Sequence, residues 1–119
     1  FMMDENCIFC KIVNKEIPST MVYEDEYVCA FKDLHPVAPV HVLVIPKVHI
    51  KDLESINEEN VIYVSKVQEA FKKVAQIMGV NESGYRVICN CGEDAGQEVK
   101  HLHYHLIAGK KLGPKIIHD

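Results

Sequence analysis

The chain has 119 residues, 48% of them hydrophobic and 25% charged, with a formal net charge of -4. That length fits one domain over residues 1–119 with a core that needs no staples, and the composition excludes a disordered chain. The acidic balance excludes a general nucleic-acid binder, which neutralises phosphates with Lys and Arg, and no apolar run approaches membrane-spanning length, so neither nucleic acid nor membrane is expected as a partner.

Residues 1–6 are acidic and lack the charged-then-apolar profile of a signal peptide. They are expected to be flexible, and the protein cytoplasmic. Five cysteines, an odd number, argue against a complete disulfide framework. In a reducing compartment the Cys-x-x-Cys pair Cys7 and Cys10 binds metal or stays free, while Cys29, Cys89 and Cys91 belong to no motif. The stretch from Cys7 to Val13 predicts a brief helix, and Glu16-Ile17-Pro18-Ser19 a turn.

Thr20 to Tyr23 and Tyr27 to Phe31, separated by three acidic residues, predict a hairpin. Two prolines exclude regular structure from Asp33 to Pro39. Val40 to Ile45 reads as a strand stopped by Pro46. Helical spacing of Val61, Val64, Val67, Phe71, Val74, Ile77 and Met78 places one long helix between Ser55 and Met78, with Ser55 or Asn57 at its start and Gly79 as its C-terminal cap. Tyr85 to Cys89 and His101 to Ala108 predict two more strands around a glycine-containing loop. The pattern indicates an α+β class, an antiparallel sheet with the long helix on one face.

Residues two apart on a strand share a face, so His101, His103 and His105 point one way, and Leu102, Tyr104 and Leu106 the other. A half-exposed polar face accounts readily for one histidine and poorly for three in alternation. Stacked imidazoles can bind metal, supply a nucleophile whose second nitrogen is held by a hydrogen bond, or move protons near neutral pH. In the loop Asn90 to Val99, glycines allow close backbone approach, and the amides of Asn90 and Gln97 could help cradle a phosphate.

His101-Leu102-His103-Tyr104-His105-Leu106-Ile107 resembles the signature of the histidine triad (HIT) family. The resemblance extends to Ile17-Pro18, Ala30-Phe31-Lys32-Asp33, Ala38-Pro39-Val40-His41, Val44-Ile45-Pro46-Lys47-Val48-His49, Gly96-Gln97-Glu98-Val99 and Leu112-Gly113-Pro114, nearly the whole chain from Cys7 onward. It is similar to the bacterial Hint-like branch of that family. The resemblance implies a homodimer whose sheets join into one of ten strands. It implies hydrolysis of the P–N bond in purine nucleoside 5′-phosphoramidates of the AMP or GMP type, through a nucleotidyl intermediate on His103. His105 would contact the phosphate and assist the leaving group, and His41 with nearby carbonyls would orient the His103 ring. Asn90, Gln97 and the backbone of Val99 would hold the phosphate, and Asp33 the ribose. Ile8, Phe9, Ile17 and Leu34 would line the base pocket. No metal is required for this scheme.

Two positions depart from the family pattern: Lys100 stands where an aromatic residue is common, and His35 where a small one is. The tail over residues 110–119 is short and basic. Some similar bacterial proteins complete a metal site with the histidines that correspond to His49 and His101, which implies a structural zinc held by Cys7, Cys10, His49 and His101. Rival readings are a dinucleoside polyphosphate hydrolase, a non-catalytic nucleotide-binding module, and a zinc-dependent hydrolase that uses the triad as ligands.

Overall fold

The computed structural model describes residues 3–114; Phe1, Met2 and the tail from Lys115 to Asp119, including His118, lie outside the described residues. A short helix α1 (Ile8–Val13) is followed by strands β1 (Met21–Glu24), β2 (Val28–Lys32) and β3 (Val40–Pro46), the long helix α2 (Val61–Ile77), and strands β4 (Tyr85–Ile88) and β5 (Tyr104–Ala108). The strands form one antiparallel sheet in the order β1-β2-β3-β5-β4. This is the expected α+β arrangement.

Alternation of side chains splits the molecule into two apolar layers. Val28, Ala30, Val42, Val44, Tyr104 and Leu106 pack with Val67, Phe71 and Val74 of α2. On the opposite face Cys29, Phe31, Leu43 and Ile45 pack with Phe9, Cys10 and Ile12 of α1. β3 is buried along its whole length because it lies mid-sheet between both layers. The triad histidines emerge on the α1 side, while Leu102, Tyr104 and Leu106 face α2, as the alternation predicts.

Asp25 closes the first hairpin: its Oδ1 accepts from the N–H groups of Tyr27 (2.8 Å) and Val28 (2.9 Å). Helix α2 begins at Val61, later than expected. Leu53–Ser55 forms a separate 3-10 turn, and Asn57 spends its side chain on that connection, accepting from the N–H groups of Glu59 and Asn60. Asn side chains compete for local backbone groups, which favours a turn over helix at this point. The far end is as predicted: Gly79 adopts φ +72°, its N–H donates to Gln76 O, and the Val80 N–H donates to Ala75 O, a Schellman closure.

The last strand is shorter than its sequence pattern. Ladder pairing with β3 runs only from Val44↔Tyr104 to Val40↔Ala108, so His101, Leu102 and His103 precede β5. That segment is anchored instead by Leu102 N–H donating to Ile50 O (2.6 Å) and by the His101 ring bonding Pro46 O (3.0 Å). Pro46 has no N–H with which to continue the ladder.

Candidate active site and metal centre

His103 is buried, and its Nδ1 lies 2.7 Å from the His101 carbonyl oxygen. A carbonyl only accepts, so Nδ1 carries the proton and Nε2 presents a bare lone pair. The Phe9 ring stands edge-on to the imidazole, with centroids 5.1 Å apart. Burial lowers the affinity of His103 for a proton, against the opposing pull of the carbonyl bond and of Asp33.

The resemblance assigns His41 to the His103 ring, but its imidazole bonds His105 instead. Its Nδ1 accepts from the Val37 backbone N–H (3.1 Å), so its own proton is on Nε2. That Nε2 lies 2.9 Å from His105 Nδ1 and donates to it. His105 is thereby held with its proton on Nε2, next to the His103 ring at a centroid separation of 5.1 Å. Burial, then repulsion from His103 and His41, depresses the His105 pKa to about 4. Burial also lowers that of His41, and Asp33 opposes it from 3.4 Å. The three rings thus rest neutral and in fixed tautomers. The backbone donor at Val37 was not legible in the sequence; its only signal is the pair of prolines, Pro36 and Pro39, that shape the loop.

Asp33, His41 and His105 also bring three potential metal donors together. The two imidazole nitrogens, however, face each other nearly head-on, because the 5.2 Å between ring centroids is about the N–N distance plus one ring radius at each end. A shared metal needs lone pairs that converge on a third point. This arrangement is a hydrogen-bond relay.

Beside the triad lies an apolar cavity of about 230 Å³. Ile8, Phe9, Ile17, Asp33, Leu34 and Val99 all line it, and with them Ile12, Phe31, Leu43 and His35, of which the first three were not anticipated. Leu34 is 87% exposed and stands on the rim. The Asp33 Oδ1 accepts from the His35 N–H (2.8 Å), which fixes the carboxylate at the cavity edge. Asn90 is half-buried in the loop after β4 and does not line this cavity. The buried Gln97 amide is spent within the protein: Oε1 accepts from Gly92 N–H (2.9 Å), and Nε2 donates to Lys51 O (2.9 Å) and Val99 O (3.1 Å). It shapes the loop and has no donor left for a ligand. Lys100 is exposed, and its Nζ donates to Gln97 O (3.3 Å).

Cys7, Cys10, His49 and His101 bring their donor atoms within 4.8 Å of one another. His101 Nδ1 lies 3.2 Å from Cys7 Sγ and 3.5 Å from Cys10 Sγ, and His49 Nδ1 lies 3.4 Å from Cys10 Sγ. Sulfur and nitrogen bound to one tetrahedral zinc stand about 3.6 Å apart, from Zn–S and Zn–N lengths of roughly 2.3 and 2.0–2.1 Å. The donor set therefore fits a structural zinc. Both histidines turn Nδ1 inward; His101 keeps Nε2 on Pro46 O, while the Asp4 carboxylate lies 3.9 Å from His49 Nε2, beyond hydrogen-bond reach. An outer partner of the kind that His101 has fixes the orientation of a ligating imidazole. Burial pushes the Cys10 thiol up to about 11 and the His101 pKa down to about 4; a divalent cation would reverse the first of these.

These features place an imidazole with a bare lone pair, a hydrogen-bond relay, an apolar cavity and a metal-competent cluster on one face of a five-stranded sheet. The chain belongs to the histidine triad family: the HIT domain family model matches residues 14–112. It is 41% identical over 116 residues, 98% of each chain, to the purine nucleoside phosphoramidase of Escherichia coli (strain K12). Its structure is similar to a HIT family hydrolase from Clostridium thermocellum, at 55% identity and a TM-score of 0.93, covering 97% of this chain and 100% of that one. It is also similar to a histidine triad protein from Clostridium difficile, at 54% identity and a TM-score of 0.91, covering 96% and 99%.

Proposed function

We propose that this protein hydrolyses the P–N bond of purine nucleoside 5′-phosphoramidates, with His103 as nucleophile. The observation that carries the reading is the pair of opposite tautomers: His103 turns a bare Nε2, and its neighbour His105 a protonated Nε2, to the same face. One attacks phosphorus, and the other donates to the phosphoryl oxygens as charge develops.

In the first step Nε2 of His103 bonds to phosphorus, the P–N bond breaks and the amine departs, taking one proton from water. The phosphoryl-imidazolium formed keeps its Nδ1–H on the His101 carbonyl, which stabilises the positive charge. In the second step water attacks phosphorus, the bond to Nε2 breaks and one proton returns to solvent. His105 takes up no second proton, because the only bare position on its ring is Nδ1, already occupied by the His41 donor.

Asp33 accepts from the ribose hydroxyls, and Ile8, Phe9, Ile17 and Leu34 enclose the base. Asn90 and the backbone of Val99 hold the phosphate, while Gln97 acts through the loop that it braces. Cys7, Cys10, His49 and His101 hold a structural zinc that stays outside the reaction. A second copy of the chain adds its sheet along β4, an edge strand with Tyr85 and Val87 exposed, to give the ten-stranded homodimer. The protein acts in the cytoplasm. The relative named as a purine nucleoside phosphoramidase supports the substrate class.

The test is turnover of an AMP–amine conjugate beside a diadenosine polyphosphate. Preference for the conjugate in kcat/KM supports the proposal. Preference for the polyphosphate replaces it with the dinucleotide hydrolase reading, and tight AMP binding without turnover of either replaces it with a binding module.

A further inference from the structure

His101 belongs to two sites at once. Its ring nitrogen Nδ1 faces both cysteine sulfurs, and its carbonyl oxygen holds the His103 ring. Phe9 makes a second link. It precedes Cys10 in α1, and its ring stands edge-on to both His101 (centroids 5.9 Å) and His103 (5.1 Å). Phe9 also forms a wall of the apolar cavity.

Helix α1 has only six residues, too few to be stable alone. Its apolar side rests on the smaller of the two layers, and Cys7 and Cys10 attach it to His49 and His101. The larger layer under α2 contains none of the four cluster residues.

We propose that His101 and Phe9 couple the Cys7–Cys10–His49–His101 cluster to the nucleophile, so that its metal occupancy switches the site on and off without unfolding the domain. With metal bound, α1 is docked, Phe9 confines the His103 ring and the base wall is complete. Without metal, α1 detaches, the ring gains freedom and the wall opens. The proposal rests on reading His103 as the nucleophile. It assigns the cluster a positioning role, beyond that of a staple.

Four samples test it: the zinc-loaded protein, the same protein stripped by chelator, Cys10→Ser and Phe9→Leu. In the stripped protein and in Cys10→Ser, amides of residues 8–13 are expected to exchange at least about tenfold faster, while those of α2 keep their protection. The 15N signals of the His103 ring should move from one fixed tautomer toward an average. On an AMP–amine conjugate kcat should fall and KM rise, with kcat/KM lower by on the order of 100-fold, the scale of a small misplacement. Zinc should restore the stripped protein. Phe9→Leu should retain zinc and α1 protection yet shift the ring signals toward the average.

Stripped protein with kcat and KM within about twofold of the loaded form and unchanged ring signals would overturn the coupling. So would loss of α2 protection together with that of α1, since a simple staple reduces the folded fraction, lowering kcat at constant KM. Unaltered ring signals in Phe9→Leu would overturn the part given to Phe9. If the loaded protein turns over no phosphoramidate, the functional reading fails by itself, and the exchange and ring measurements still decide the coupling.

Discussion

His41 donates to His105 across 2.9 Å, and the Val37 backbone N–H, donating to its other ring nitrogen, fixes the proton on the side that donates. One peptide group thereby sets the tautomer of two successive imidazoles. Replacing His41 with Ala should free His105 to present either nitrogen. The expected result is a fall in kcat of about 10- to 100-fold, the usual scale for removing an orienting partner, with KM changed far less. Steady-state kinetics on an AMP–amine conjugate check this; an equal rise in KM at constant kcat would contradict it.

The same burial that fixes the tautomers sets the pH response. His103 is held below the ordinary histidine value of 6.5, and His105 at about 4. If His103 is the nucleophile, the acid-side decline of kcat/KM should be centred below pH 6.5. Stability follows the same sign. For His105 the unfolded pKa is 6.5 and the folded one about 4, so between those limits the unfolded chain binds more protons. Its contribution is fully present above pH 6.5 and is lost as the pH falls toward 4. Chemical denaturation at pH 7.5 and pH 5 should show the midpoint falling at the lower pH.

Gln97 offers a contrast between position and role. All three of its amide contacts are to backbone groups at Gly92, Lys51 and Val99. Gln97→Leu leaves those groups without their partner and should destabilise the protein by about 1–3 kcal/mol, read from denaturant unfolding. Gln97→Glu tests the same bonds differently, because a carboxylate can accept from Gly92 but cannot donate to the two carbonyls. It should be destabilised as well. A glutamine that contacts only a ligand would leave both variants as stable as the parent.

Asp33 combines two contacts, one to the His35 backbone and one to His41. If it also receives the ribose hydroxyls, Asp33→Asn should raise KM about 10- to 100-fold, the scale of a lost charged hydrogen bond. It should also narrow the preference for ribose over 2′-deoxyribose conjugates. A loss confined to kcat and equal for both sugars would instead tie Asp33 to the relay alone.

Much of this molecule is legible in its residues, and the exceptions have physical causes. Alternation from His101 to Leu106 places each side chain on the correct face, although the hydrogen-bonded strand starts only at Tyr104. Side-chain direction follows the extended backbone, whereas the ladder needs a neighbour that Pro46 cannot supply. The start of α2 is lost to the local bonds of Asn57 and Asn60, which periodicity does not register. The spacing of Cys7 and Cys10 suggests a metal. Their two histidine partners, one more than 90 residues away, became visible only through the resemblance to a family. The resemblance gives His41 an orienting role, but which imidazole it holds is not legible in the sequence, since two histidines can face either way and the decision lies with a backbone N–H four residues earlier. The Gln97 amide was assigned outward because sequence cannot distinguish a buried brace from an exposed donor.

The most direct test is chemical trapping of the intermediate. Reaction of the zinc-loaded protein with an AMP–amine conjugate, quenched in denaturing base to preserve a phosphorus–imidazole bond, should yield protein heavier by one adenylyl group, with fragmentation placing that group on His103. His103→Ala should bind AMP and show no such adduct. An adduct on any other residue, or full turnover with none formed, would contradict the account.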